Sequence, residues 1–236
     1  MLRFMRKVIG VTLAVSVAAA TVSFGAAQGD GTDKIVNVGV TDSLGGVNPL
    51  AIDQTEINKY AVGLQFLPLV ELDSDLNFQP MLADSVMTED NLTFTVHIND
   101  EAVWSDGTPV TAEDVEFTVL RLASPVINNA TMMLYAFEGV GDDGFVEEGA
   151  TEIEGIRVVD EKTIQFTSKY PMALTTFENT YGRYLHTLPK HVLGEYSEEE
   201  LLTLDWFNHP DVVSGPYMLT DYDTDHYISY TANENY

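Results

Sequence analysis

Apolar and polar positions recur along this 236-residue chain with two periods, and the change from one to the other divides it into strands and helices. Over residues 112–122, Val115, Val119 and Leu122, with Phe117 and Leu120 to either side, make an apolar face while Glu113, Glu116 and Arg121 point elsewhere. That pattern predicts an amphipathic helix packed on something. Its start is fixed locally: Asp106-Gly107 tolerates positive φ, Pro109 imposes an extended exit, and Thr111 is an N-cap with Asp114 three residues on as a short capping-box partner. Residues 35–40 alternate as a strand would, residues 42–50 form a Gly and Pro loop, and residues 56–66 read as a helix with Ile57, Tyr60, Ala61 and Leu64 on one face. Such an opening is typical of α/β domains.

Short strands follow at 69–72, 92–98, 156–159 and 164–167, with the capped helix inserted between the second and third. Asp73-Ser74-Asp75 and Asp160-Glu161-Lys162 are polar turns, which predicts a largely antiparallel region with helices on it. Residues 139–150 carry glycine and acid without a core pattern and read as an exposed, mobile loop. Residues 228–236 read as a strand running into N-x-x-Y.

Charge and the N-terminus narrow the setting. Arg3, Arg6 and Lys7 precede an apolar run over 8–24 and the small residues Gly25-Ala26-Ala27, the form of a secretory signal peptide over 1–27. The run is short for a transmembrane anchor. Cleavage there removes three of the 11 basic residues and none of the 37 acidic ones, so the mature segment is more acidic than the whole-chain net charge of −26. Nucleic acid and anionic lipid are poor partners for such a surface. The acids are spread along the chain, which favours plain solubility over the two alternatives, adaptation to a saline habitat or attraction of cations and basic peptides. There is no cysteine, hence no disulfide and no acylated-cysteine tether.

The stretch from Trp104 to Thr118 resembles the signature of the extracytoplasmic solute-binding proteins that serve oligopeptide, dipeptide and nickel ABC importers, W-x-D-G-x-P-x-T-A-x-D-V-x-F-[ST]. Trp104, Asp106, Gly107, Pro109, Thr111, Ala112, Asp114, Val115, Phe117 and Thr118 all match. Other segments resemble the family in its own order: Pro80 to Ser85, Leu92 to His97, Ile153 to Phe166, Leu188-Pro189-Lys190-His191-Val192-Leu193 and Val213-Ser214-Gly215-Pro216-Tyr217. Val86 stands where the family usually has tryptophan, which weakens subfamily placement only.

The resemblance implies an α/β, periplasmic-binding-protein-like fold of the large two-lobed class (type II), with a first lobe over 28–65 and 190–236 and a small α+β domain inserted over 66–189. It covers roughly the first half of a family member, so the second lobe is expected to be absent and the chain alone to bind peptides weakly. The implied function is capture of peptides or similar small solutes outside the cytoplasm and delivery to a membrane permease, by a monomeric, periplasmic protein without cofactor. A receptor for a metal chelate or oligosaccharide is the alternative on the same fold, and an exported hydrolase the alternative of another class.

By resemblance, the segment after Asn48-Pro49 runs along the cleft, which makes Asp53, Gln54 and Thr55 the first candidates for ligand binding by strand-like pairing. The competing reading is a loop-to-helix junction with Thr55 as N-cap. Tyr181, facing the cleft or packed in the core, and Ser214, at a strand-start turn, are further candidates.

No catalytic or metal-ligating set stands out. Asp221, Asp223 and Asp225 form D-x-D-x-D but lack the glycine and glutamate of a calcium loop, since His226 and Ala232 stand there. Asp142, Asp143, Glu147 and Glu148 read as a solvated loop, and Pro189 breaks any helix that could align His186 with His191. G-x-S-x-G is missing. Asn91-Leu92-Thr93 and Asn129-Ala130-Thr131 match the glycosylation sequon, for which coincidence is the ordinary explanation in a bacterial-type exported protein.

Overall fold

The computed structural model describes residues 35–236 other than 42, 52–54, 130 and 224–225. The leader reading over 1–27 lies outside the described residues. Val40–Tyr236 form one compact unit; residues 35–39 belong to another. The strand expected over 35–40 is not there: no ladder includes it, and Ile35, Val36, Val38 and Val40 are all exposed. Alternation supplies a face, but a strand also needs a neighbour to accept its hydrogen bonds.

Helix α1 spans Glu56–Gly63, and its buried face is Asn58, Lys59, Ala61 and Val62. Tyr60, expected on that face, is 58% exposed. Lys59 displaces it because Glu71 waits inside with a carboxylate, so burial of the ammonium is compensated. Strand β1 (Val70–Leu72) turns through Asp73-Ser74-Asp75 into β2 (Phe78–Pro80), where the Asp73 carboxylate accepts from the backbone N–H of Asp75 and Asn77.

Next come β3 (Ala83–Met87), β4 (Thr93–Ile98), α2 (Ala112–Leu122), β5 (Ile156–Asp160) and β6 (Thr163–Thr167). The four strands form one antiparallel sheet in the order β3-β4-β6-β5, as the polar turns require. Phe94, Val96 and Ile98 on β4 and Ile164 and Phe166 on β6 are buried, in the register Phe94↔Phe166 and Val96↔Ile164. This period-2 face receives α2, whose Val115, Phe117, Val119 and Leu122 are buried as expected.

Helix α3 (Leu174–Phe177) runs into a π-turn at Glu178–Gly182 that delivers Phe177 and Tyr181 to the same core. Phe94 stacks on Phe177 at 4.5 Å, and Phe137 lies 4.7 Å from the Tyr181 ring. Helices α4 (Lys190–Leu193) and α5 (Glu198–Thr203) lead to the hairpin β7 (Tyr217–Asp223) and β8 (Tyr227–Ala232). That hairpin meets Leu44, Val47 and Ala61 in a second, smaller apolar cluster through Leu219 and Tyr230. The 139–150 loop is mostly exposed, yet it is built from turns and tied down by Val146 N–H to Ala123 O and by the Lys169 ammonium to Val140 O.

Candidate functional site

The residues that carry the signature are each other's partners. Asp114, 3% exposed, accepts the indole N–H of Trp104 (3.3 Å), the backbone N–H of Thr111 (2.8 Å) and the Thr111 hydroxyl (3.1 Å) on one oxygen, and the Lys190 N–H (2.8 Å) on the other. One helical turn on, the Thr118 hydroxyl accepts from Leu188 N–H. The capped end of α2 therefore holds the Leu188-Pro189-Lys190 segment. His191 Nε2 sits 3.0 Å from the Asp106 carboxylate. Burial opposes ionisation of Asp106, but donors from Thr108 and His191 outweigh it and hold its carboxyl below the usual range.

Ser105 docks the third motif. Its N–H donates to Val213 O (2.8 Å), its hydroxyl accepts from Val213 N–H (3.0 Å), and its carbonyl receives the Asn235 amide. Residues 64–69 run alongside: Gln65 O accepts from Ser214 and Gly215, and Tyr217 N–H donates to Leu64 O. A Cβ on Gly215 would lie 2.3 Å from Leu64 O, so only glycine allows this approach.

Beside α1 is a buried polar cluster. Glu71 accepts from Lys59 Nζ (3.0 Å), Arg183 Nε (2.9 Å) and Leu72 N–H (2.8 Å). Its partial burial opposes ionisation, but these donors win and hold the carboxyl below its ordinary value. His186 is fully buried; Nδ1 donates to Phe66 O at 2.8 Å, and Nε2 has no partner. Burial, with the nearby Lys59 charge adding to it, pushes its pKa down to about 4, so the ring is neutral near pH 7. Both amide atoms of the buried Gln65 and the Thr187 hydroxyl also have no partner.

Asp53 and Gln54 lie outside the described residues. Thr55 is the N-cap of α1 with extended backbone (φ −70°, ψ 153°), and its hydroxyl, buried and without a partner, makes no cap bond. Upstream, Asn48 donates to Leu201 O at 2.8 Å and accepts from Leu50 N–H, which anchors the loop. Tyr181 is 4% exposed inside the Phe137 and Phe177 cluster, where burial first, then the neighbouring Tyr135 and Tyr170, raise its hydroxyl pKa. Ser214 is 5% exposed and accepts from Leu67 N–H at 3.0 Å. Thr55, Tyr181 and Ser214 thus attach to one stretch of chain: the first begins α1, Ser214 binds residues 65 and 67, and Gly182, next to Tyr181, binds Leu69.

The other constellations resolve into structure. Asp221 accepts from the Tyr227 hydroxyl and Asp223 pairs with His226, while Asp225 lies outside the described residues. Among the described residues no three potential metal ligands group together, and no helix is long and apolar enough to cross a membrane. An open groove of about 420 Å³ along Gly139–Glu147 shares no residue with the cluster at α1. Pattern reading missed Lys59, Glu71, Arg183 and His186 as a unit. Lys59 lies off the apolar face that periodicity gives for 56–66, so no local pattern marks it.

A family model for bacterial extracellular solute-binding proteins, family 5 Middle, matches residues 77–236. A Brucella ovis protein described as an ABC transporter peptide-binding protein is 30% identical over 173 residues, which cover 72% of this chain and 29% of that one. Escherichia coli K12 periplasmic oligopeptide-binding protein OppA is 26% identical over 164 residues, 66% of this chain and 28% of that one. Among solved structures, Burkholderia pseudomallei OppA superposes with a TM-score of 0.69 at 22% identity over 84% of this chain and 38% of that one. Haemophilus influenzae OppA, in complex with RPPGFSPFR, gives 0.67 at 25% identity over 82% and 37%. The chain spans less than a third of the length of these curated relatives. With its signature residues bonded to one another and the family model matching 77–236, this chain belongs to the bacterial extracellular solute-binding proteins, family 5.

Proposed function

We propose that this chain is part of the substrate-binding component of an ABC importer, which captures peptides or similar small solutes outside the cytoplasm and hands them to a membrane permease. The observation that carries the reading is its likeness over 82% of its length to the Haemophilus influenzae protein solved with a nonameric peptide. Ligand capture is non-covalent, by lobes that close around the solute. Residues 28–65 and 190–236 form the first lobe and residues 66–189 the inserted domain. In support of that division, the four-stranded sheet and α2 fall wholly within the second range, and α1 and the β7–β8 hairpin outside it.

The ligand segment is Asp53-Gln54-Thr55, which offers backbone groups to an extended peptide. Its support is the extended Thr55 and the loop anchored by Asn48. Ser214 holds Leu67 through its hydroxyl, and Tyr181, packed on Phe137, precedes Gly182, whose carbonyl accepts from Leu69 N–H.

The test uses protein expressed from the whole reading frame. Its melting temperature is measured with pools of tripeptides, pentapeptides and nonapeptides, and separately with a nickel–histidine chelate and with oligosaccharides. Ligand that binds only the folded state raises stability in proportion to the logarithm of its concentration over Kd. A rise with a peptide pool alone supports the reading, and a rise only with chelate or sugar overturns it.

A further inference from the structure

The two sequons of this chain are placed so differently that the fold separates them. Asn129 is 5% exposed, and its amide nitrogen donates to Leu50 O at 2.9 Å. Its amide oxygen accepts from Thr131 N–H (3.1 Å), the Thr131 hydroxyl (2.8 Å) and Met132 N–H (3.0 Å). Every polar atom of that side chain is committed inside the fold.

Asn91 is the opposite case. It stands in the turn between β3 and β4, exposed, in the left-handed region at φ 59°. Its backbone is pinned: its N–H donates to the Thr88 hydroxyl (2.9 Å) and its carbonyl accepts from Met172 N–H (2.8 Å). The Asp90 carboxylate caps the turn by accepting from Leu92 and Thr93 N–H at 2.9 and 2.7 Å. All these bonds use backbone or neighbouring side chains, so the Asn91 amide projects from a fixed turn with no hydrogen bond among the described residues. Thr93, the hydroxyl residue of the sequon, follows at the start of β4, and its hydroxyl makes a 3.3 Å contact with Asp90. Glu89, exposed two residues ahead, adds an acid on the N-terminal side.

We propose that Asn91 is an acceptor site for an N-linked glycan in the folded chain, and that Asn129 is closed to it. In the reaction the Asn91 amide nitrogen forms a bond to the anomeric carbon of a lipid-linked oligosaccharide. The bond from that carbon to the lipid pyrophosphate breaks, the pyrophosphate leaves with the electron pair, and the amide proton passes to a base on the transferase. A glycan there stands at the β3–β4 turn, beside the end of the edge strand β3.

The experiment incubates the purified folded chain, and separately synthetic peptides of residues 86–97 and 125–136, with an oligosaccharyltransferase and its lipid-linked donor. Site occupancy is read by mass spectrometry. The expected result is modification of both peptides, and in the folded chain occupancy at Asn91 within a few-fold of its peptide but at Asn129 at least about tenfold below. Thr93→Ser keeps the site and Thr93→Ala removes it. The proposal is overturned if the 86–97 peptide is not an acceptor, if folded Asn91 stays unmodified while its peptide is modified, or if folded Asn129 is modified as readily. No solute binding enters the assay, so it fails or succeeds independently of the transport reading.

Discussion

The Asp114 carboxylate accepts the backbone N–H of Lys190 at 2.8 Å, which joins the first turn of α2 to the first turn of α4 across 76 residues of sequence. A carboxylate at the start of its own helix thus also serves a second helix, where the dipole favours negative charge as well. This makes Asp114 a junction between two motifs.

Removing that carboxylate strands several donors in the core. Asp114→Ala is expected to cost roughly 3 kcal/mol or more, since an unpaired buried N–H costs about 1–3 kcal/mol. Asp114→Asn, which keeps some acceptor capacity, costs less. Urea unfolding measures both, and a loss below about 1 kcal/mol for the alanine variant contradicts the junction.

Gly215→Ala places a methyl group 2.3 Å from Leu64 O, and backbone cannot yield as a flexible side chain can. Loss of at least about 2 kcal/mol is expected from the overpacking. Denaturant midpoints that match the parent protein refute the close approach.

His186 predicts a pH dependence. The folded chain keeps it neutral with a pKa of about 4, whereas in the unfolded chain it titrates near 6.5. Between those values the unfolded state takes up the proton first, so stability falls as pH drops from about 6.5 to 4 and loses nothing further from this group below. The full effect is roughly 3 kcal/mol at 1.36 kcal/mol per pKa unit. Asp73, Asp90 and Asp160, held below their ordinary values mainly by backbone N–H donors, lose their contributions in a lower window. Unfolding free energies of the parent and of His186→Asn from pH 7 to pH 4 test this. The variant's curve should be flatter, and parallel curves contradict it.

Glu71→Gln weakens the carboxylate partner that Lys59 and Arg183 share, with an expected loss of about 2 kcal/mol near neutral pH. Because the folded carboxyl lies below its ordinary value of 4.5, its contribution is present above that value and disappears as pH falls through the folded pKa. The difference between parent and variant, followed by urea unfolding, should therefore shrink toward pH 3. A difference that stays constant with pH shows that the ion pairs contribute nothing.

The parts legible in sequence were those governed by local rules. Turn chemistry at Asp106-Gly107, the stop at Pro109 and the Thr111–Asp114 pair set the start of α2 whatever packs on it, and period-2 burial in β4 and β6 set the central sheet. β3 was not legible, because its bulge between Ala83 and Ser85 breaks alternation. The face of α1 departs from its apolar pattern at Tyr60 because the burial of Lys59 depends on Glu71, 12 residues away. At the candidate site, sequence marked Ser214 and Tyr181 as possible contacts, but only the fold shows the Ser214 hydroxyl taken by Leu67 and the Tyr181 ring enclosed by phenylalanines.

Thr55→Pro is the sharpest probe of the proposed backbone hold on a peptide by the segment entering α1. Proline suits the observed φ of −70° and, beyond the side chain that Thr55→Ala also removes, takes away the N–H, so the fold should survive. Calorimetric titration of the whole-reading-frame protein with the peptide pool that stabilises it is the measurement, with Thr55→Ala as control. Affinity is expected to be about tenfold or more weaker in Thr55→Pro and near parental in Thr55→Ala, with a melting temperature within a few degrees of the parent in both. Parental affinity in Thr55→Pro contradicts it.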